Sequence, residues 1–217
     1  MSSLRAALEW TYRVAASARL PSPETAIVFG ATMPRLPCRL MDVGPVLDRV
    51  SALTSTRPAG RAFVLVGIGG HGAAGKTTLA RSIPGAQVVG TDEFWDGTEF
   101  ELSRLRAEVL EPLLRGEPAE YRAFSWELQR PLAEPRVVRP QGVVVVEGVC
   151  ALHVLFREAY DLRIWVDAPR ELRLARGVAR DGEGARDVWE KQWMPSEDRY
   201  VQRDDPISAA HLIVDGS

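Results

Sequence analysis

A glycine-rich stretch carries the clearest chemical signal in the chain. It reads G-x-x-x-x-G-K-T from Gly70 to Thr77, and an apolar run at residues 62–68 leads into it. A strand, a glycine-rich loop and a helix in this order form a P-loop, whose backbone N–H groups and helix N-terminus hold phosphate oxygens. We expect Lys76 to reach the β- and γ-phosphates of a nucleotide and the Thr77 hydroxyl to ligate Mg²⁺. The residues predicted to bind the nucleotide are Gly70, His71, Gly72, Ala73, Ala74, Gly75, Lys76, Thr77 and Thr78.

Two carboxylates follow the ends of other predicted strands. Asp92 comes after a short strand at residues 86–89, and Glu147 ends the apolar run at residues 143–146. The first can accept a proton from a substrate hydroxyl, and the second has the Walker B position for holding Mg²⁺. The structural alternatives are a turn or cap role for Asp92 and a rim carboxylate at Glu147. We predict Asp92 as the catalytic base, with Thr77, Glu147 and Asp92 as the metal-binding set.

Three arginines recur at spacings of three and four residues near the C-terminus. Arg173, Arg176 and Arg180 therefore share one face of a helix predicted over residues 170–180. Guanidinium groups on a helical flap can close over ATP and stabilise charge on the transferring phosphoryl group. The alternative is a basic face that is merely solvated.

The hydrophobic pattern alternates between strands and helices after residue 60, with a loop-rich, proline-containing insertion at residues 117–140. The alternation predicts a parallel sheet covered by helices on both faces. Ligands of such sheets bind at the carboxyl ends of the strands, so the P-loop, Asp92 and Glu147 should converge. The predicted strands are 62–68, 86–89, 141–147, 162–166 and 210–214, and the predicted helices are 76–83, 101–115, 151–160, 170–180 and 187–201.

Length and composition limit the classes of protein that the chain can form. Its 217 residues suggest one domain, which we place at 59–217, preceded by a helical and proline-rich extension at 1–58. The net charge is −2, and no apolar run approaches the ~18 residues that span a bilayer, so we expect neither a nucleic-acid nor a membrane partner. Cys38 and Cys150 give no disulfide framework, which predicts a reducing, cytoplasmic setting.

The motifs occur together in the order and approximate spacing of a known group. Residues 70–78, 91–95, 146–149 and 173–181 resemble the uridine kinase-like P-loop kinases, a group that includes phosphoribulokinase and bacterial pantothenate kinase. The resemblance implies an α/β three-layer sandwich of the nucleoside monophosphate kinase type, with a five-stranded parallel sheet and a helical lid at about 170–186. It also implies that Asp92 is the base for the substrate hydroxyl, that Lys76, Thr77 and Glu147 serve ATP and Mg²⁺, and that the three arginines belong to the lid.

The expected acceptor side departs from that group. Uridine–cytidine kinases show Tyr-Asp-Phe and then a base-reading His, where this chain has Phe124-Ser125-Trp126 and then Gln129. The aromatic residues could stack a base or pack in the core, and Arg122 could bind an anionic acceptor or be solvated. The residues predicted to contact the acceptor are Phe94, Trp95, Tyr121, Arg122, Phe124, Trp126 and Gln129.

These observations predict an ATP-dependent kinase that transfers the γ-phosphate to a hydroxyl of a small molecule, with a nucleoside-like acceptor as the leading hypothesis. Kinases of a sugar, a sugar phosphate or a pantothenate-like acid are alternatives. A regulatory P-loop ATPase without a small acceptor is a further alternative. Asp92 and its aromatic neighbours favour a kinase, since they suit an acceptor pocket. The sequence lacks the N-K-x-D motif of a GTPase. It leaves a monomer and a homo-oligomer equally open.

Overall fold

The computed structural model describes residues 41–56, 61–96 and 99–217. Most of the predicted helical and proline-rich extension at 1–58 therefore lies outside the described residues. In chain order the elements are α1 (Gly44–Thr56), β1 (Phe63–Gly70), α2 (Lys76–Ser82), β2 (Ala86–Gly90), α3 (Leu102–Leu105, Arg106–Leu110 and Glu111–Leu114 in continuation), β3 (Ala119–Tyr121), β4 (Phe124–Ser125), β5 (Arg130–Pro131), β6 (Arg136–Val138), β7 (Gly142–Glu147), β8 (Leu162–Asp167), α4 (Arg170–Asp181), α5 (Arg186–Val188, Trp189–Trp193 and Met194–Asp204 in continuation) and β9 (Leu212–Asp215).

The five long strands form one parallel sheet in the order β2-β7-β1-β8-β9, as the sequence predicts. All eight residues of β1 are buried, which is characteristic of a central parallel strand. Residues that alternate along β1 and β7 contribute to two separate cores. Val64 and Val66 pack with α1 and α2, whereas Leu65 packs with α3 on the opposite face. The sheet and its two covering layers confirm the three-layer α/β sandwich.

Helix α1 belongs to the core of this sandwich, although its residues fall within the predicted extension. Val46 and Val50 are buried against the sheet, and Leu47 and Leu53 pack beside them. The burial of this stripe supplies the apolar contact that holds a short helix in place. The boundary that we place at residue 58 stays a prediction, because residues 57–60 are outside the described ranges.

One secondary-structure prediction is wrong. The segment 151–160 is not a helix but a series of turns that ends in a 3₁₀ turn at Arg157–Ala159. Two of its N–H groups bond side chains: Leu155 N–H donates to His153 Nδ1 (3.2 Å), and Val154 N–H donates to an Asp204 carboxylate oxygen (3.4 Å). At these two positions side-chain acceptors replace the helical carbonyls.

The insertion at 117–140, predicted to be loop-rich, contains two short antiparallel strand pairs, β3–β6 and β4–β5. Helix α3 widens into a π-turn at Arg106–Leu110, just before Pro112. Helix α5 repeats the pattern, with a π-turn at Trp189–Trp193 before Pro195. Proline has no N–H to continue the helical ladder, which explains the altered turn.

Candidate active site

The P-loop, residues 70–78, curls at the carboxyl end of β1 with a backbone that depends on glycine. Gly70 and Gly75 have φ of 151° and 107°, in a region that side chains disfavour. A Cβ on Gly70 would lie 2.5 Å from the Val166 carbonyl oxygen, so the loop also packs too closely for a side chain there. Helix α2 begins directly at Lys76. The predicted order of strand, loop and helix is present.

Lys76 lies buried inside this loop. Its Nζ donates a hydrogen bond to the His71 carbonyl oxygen (2.8 Å). Burial lowers the pKa of Lys76, while the negative charges of Glu147, Glu197 and Asp92 act to raise it. A lysine side chain at this position in the loop is suited to binding a phosphate group.

Glu147 ends β7 between the P-loop and the segment that bears Asp92. It is in register with Ile68 of β1 on one side and with Gly90 of β2 on the other. Its Oε1 accepts a hydrogen bond from the Thr77 hydroxyl (2.8 Å). Burial raises the pKa of Glu147, and Lys76 and Thr77 oppose that rise. A hydroxyl and a carboxylate in contact are suitable ligands for Mg²⁺. This ion usually binds few protein oxygens and takes its other ligands from substrate phosphates.

Asp92 lies on the 3₁₀ turn Thr91–Phe94, which directly follows β2, and it is exposed to solvent. Its charge partly offsets the lowering of the Lys76 pKa by burial, and it adds to the rise that burial causes in the pKa of Glu147. Its backbone oxygen accepts a hydrogen bond from Trp126 Nε1 (3.2 Å). The structure therefore brings together Lys76, Thr77, Glu147 and Asp92 from three neighbouring strand ends.

The three arginines of helix α4 have different surroundings. Arg173 is buried, and its Nε donates to the Ala168 carbonyl oxygen (3.0 Å). Arg176 donates to the carbonyl oxygen of Gly216, just beyond β9. Arg180 is exposed and pairs with Asp181 (2.7 Å), a hydrogen bond that raises its pKa, as do the charges of Asp92 and Glu197. Of the three, Arg180 is thus the exposed guanidinium near the acids of the site.

Part of the predicted acceptor set packs in the core. Phe94 is fully buried and stacks on Tyr121 with ring centroids 4.9 Å apart. The Tyr121 hydroxyl donates to Glu93 Oε2 (2.6 Å), and burial together with this carboxylate raises the pKa of Tyr121. Glu93 also pairs with Arg136 of β6. The packing therefore gives Phe94 and Tyr121 a structural position, not a surface for an acceptor.

The remaining aromatics form a cluster beside Asp92. Trp95 and Phe124 are largely buried, and Trp126 covers them with centroid separations of 5.6 and 5.2 Å while 45% of its own surface stays exposed. Trp126 thus offers an aromatic face next to the predicted base.

The two polar members of the predicted set bind the insertion itself. Arg122 donates to the carbonyl oxygens of Leu132 and Ala133, and the Gln129 side chain donates to the Trp126 carbonyl oxygen. These hydrogen bonds lie within the insertion and do not indicate that Arg122 or Gln129 binds a ligand.

Sequence reasoning missed Glu197, a buried acid of helix α5 beside the P-loop. Trp189 of the same helix is also buried, and Trp193 follows it four residues later. Glu197 follows the two tryptophans at the same four-residue spacing and so shares their helix face. That spacing was the available signal.

This combination of parallel sheet, P-loop and adjacent acids defines a P-loop nucleotide-binding protein of the kinase type. Residues 93–216, more than half of the chain, match the Phosphoribulokinase / Uridine kinase family. The chain belongs to this family. Membership supports ATP-dependent phosphoryl transfer to a small molecule.

Individual relatives agree with the family assignment. A uridine kinase of Halobacterium salinarum is 26% identical over 167 residues, which cover 63% of this chain and 74% of the relative. Uridine kinase-like protein 3 of Arabidopsis thaliana is 28% identical over 170 residues, and the match covers 67% of this chain but 36% of that longer protein. The solved structure of a possible uridine kinase from Bacillus stearothermophilus has a TM-score of 0.56 at 18% identity, covering 78% of this chain and 98% of its own, which shows the shared fold.

Within residues 41–56, 61–96 and 99–217, no helix is long and apolar enough to cross a membrane.

Proposed function

We propose that this protein is a kinase that transfers the γ-phosphate of ATP to a hydroxyl of a small, nucleoside-like molecule. One observation carries the proposal: Glu147 lies in register between Ile68, which leads into the P-loop, and Gly90, which leads into Asp92. The P-loop and an exposed carboxylate thereby lie at the same edge of the sheet. Phosphoryl transfer needs mainly this kind of positioning, together with charge stabilisation.

Each residue has a role that follows from its place. The N–H groups of residues 70–78 hold phosphate oxygens, and Lys76 neutralises their charge. Asp92 accepts the proton of the attacking hydroxyl, because its carboxylate is exposed while its backbone is fixed by Trp126. Arg180 stabilises charge on the phosphoryl group during transfer. A bound Mg²⁺ would neutralise β- and γ-phosphate charge, and Thr77 and Glu147, with Asp92 alongside, would hold it.

The acceptor hypothesis rests on Trp126, whose exposed face can stack on a flat ring. A second candidate function is phosphorylation of a different hydroxylated metabolite, such as a sugar. The burial of Phe94 and Tyr121 favours this alternative, because it removes two of the rings expected to surround a base.

The test is a coupled ADP-release screen over nucleosides, sugars and vitamin precursors with Asp92→Asn as the key variant. Asp92→Asn keeps a side-chain oxygen that can face the metal but removes the base, so we expect it to retain MgATP binding and to lose phosphoryl transfer by about 10²–10⁴-fold. Asp96→Asn is the matched control, since Asp96 is exposed in the same segment and its side-chain oxygen accepts the Glu99 N–H (2.8 Å), a bond that asparagine can keep.

Two results would contradict the proposal. One is a protein that hydrolyses ATP at the same rate with and without Asp92 and phosphorylates no hydroxylated metabolite, which would favour a regulatory ATPase. The other is the absence of MgATP binding altogether.

A further inference from the structure

Glu197 connects the P-loop to a neighbouring helix through its two carboxylate oxygens. It is 4% exposed, and it accepts a hydrogen bond from the backbone N–H of Gly72. A Cβ on Gly72 would lie 2.6 Å from Glu197 Oε1, so the loop packs directly against the carboxylate. A buried carboxylate is therefore part of the wall that shapes the phosphate-binding loop.

The second oxygen of Glu197 faces helix α4, which we call the lid helix. Glu197 Oε2 lies 3.6 Å from Arg173 Nη1, and neither atom has a hydrogen-bond partner among the described residues. Both side chains are buried, and burial raises the pKa of Glu197 and lowers that of Arg173. The two opposite charges compensate each other without a direct hydrogen bond, which leaves the contact able to change.

Trp189 fills the space beside this ion pair. Its ring packs against Gly72 of the P-loop and against Gly177 of the lid helix, with no room for a Cβ at either position. Its indole N–H donates to Asp181 at the end of the lid helix (3.0 Å). The loop and the lid helix thus share one packed interface, with Glu197 as its buried acid.

We propose that Glu197 is a positioning residue that couples the lid helix to the nucleotide state of the P-loop. It acts through the Gly72 N–H on one side and through Arg173 on the other. Phosphates bound in the loop change the field at Glu197 and Arg173, and the ion pair transmits this change to the lid helix. The inference rests on the proposed function, because it takes the triphosphate as the ligand of the loop.

Hydrogen–deuterium exchange of residues 170–181, measured with and without MgATP, tests the coupling. In the unaltered protein we expect MgATP to slow exchange in this helix about tenfold. Glu197→Gln keeps an oxygen for the Gly72 N–H but removes the charge that faces Arg173. At MgATP concentrations that saturate each protein, as established by calorimetry, we expect this variant to lose most of the nucleotide-dependent protection. A purely structural role would instead speed exchange with and without nucleotide alike.

Glu190→Gln is the matched control, since Glu190 is an exposed glutamate of the same helix, and it should retain full protection. The double variant Arg173→Gln/Glu197→Gln leaves no unpaired charge, so it guards against loss of folding. It should lose no more protection than either single variant, because each breaks the same link.

Full nucleotide-dependent protection in Glu197→Gln, or additive losses in the double variant, would overturn the inference. Failure of the unaltered protein to bind MgATP would instead overturn the proposed function.

Discussion

The predicted phosphate side of the site is built from residues that are adjacent in sequence, whereas the predicted acceptor side is assembled from side chains that meet only in the folded chain. Residues 70–78 supply the loop, Lys76 and Thr77 within one stretch, and Lys76 bonds a carbonyl five residues away (2.8 Å). On the acceptor side, Trp126 reaches the backbone of Asp92 from a separate insertion (3.2 Å). The two halves meet along the edge of the sheet where Glu147 ends β7.

The difference teaches which parts of such a site can vary independently. A phosphate-binding loop that uses backbone N–H groups needs particular φ angles, which Gly70 and Gly75 provide. An acceptor surface made of packed side chains can change with the insertion while the sheet stays the same. We therefore expect changes on the two sides to have separable effects on the two substrates.

The largest effect is expected from Lys76→Met, which keeps the length of the side chain and removes its charge. Lys76 is buried among Glu147, Glu197 and Asp92, so we expect MgATP affinity and transfer to fall by about 10²–10³-fold. Calorimetry and the ADP assay measure the two quantities, and thermal unfolding checks that the variant is folded.

Arg81→Met is the control for that change, because it removes an exposed cation from the end of the same helix. Undiminished MgATP binding by Lys76→Met would mean that the phosphate side has been misassigned.

A smaller effect, confined to the acceptor, is expected from Trp126→Ala. It removes the exposed ring beside Asp92, and we expect the KM for the acceptor to rise about tenfold, since stacking on an aromatic ring contributes about 1–3 kcal/mol. The Kd for MgATP should not change. Steady-state kinetics with each substrate varied in turn measures both.

Tyr121→Phe is the structural counterpart in the same insertion. It removes the hydrogen bond to Glu93 (2.6 Å), so we expect the free energy of unfolding to fall by about 1–3 kcal/mol with no change in the acceptor KM. A raised KM in Tyr121→Phe together with an unaffected Trp126→Ala would reverse our assignment of the two rings.

The sequence predicts most of the sheet and the phosphate side because both depend on local patterns. The apolar run that ends in Glu147 forms β7, and the glycine-rich segment forms the loop after β1. The turns at 151–160 could not be predicted, because Asp204, which takes the Val154 N–H, is about fifty residues away. Long-range pairing likewise decides that Tyr121 is a core residue.

The different surroundings of the three lid arginines also depend on contacts between residues far apart in sequence. Their spacing places them on one helix face, yet Arg173 faces buried Glu197 and Arg176 reaches Gly216 beyond β9. Helix periodicity fixes direction, but the neighbours of a side chain are set by tertiary packing.

The smallest expected effect is a pH dependence of the free energy of unfolding that comes from the phosphate side alone. The P-loop contains His71, whereas the insertion at 117–140 contains no histidine. Burial, and next the charge of Arg173, lower the pKa of His71 from 6.5 to about 4. Between these values the unfolded chain binds a proton that the folded chain does not, so the free energy of unfolding falls as the pH decreases from 7 to 5. His71→Gln removes this contribution, and its stability should fall less over that interval, by about 1–2 kcal/mol. Urea unfolding of both proteins at pH 7 and pH 5 measures the difference, and equal pH dependence would show that His71 is protonated as readily in the folded loop as in the unfolded chain.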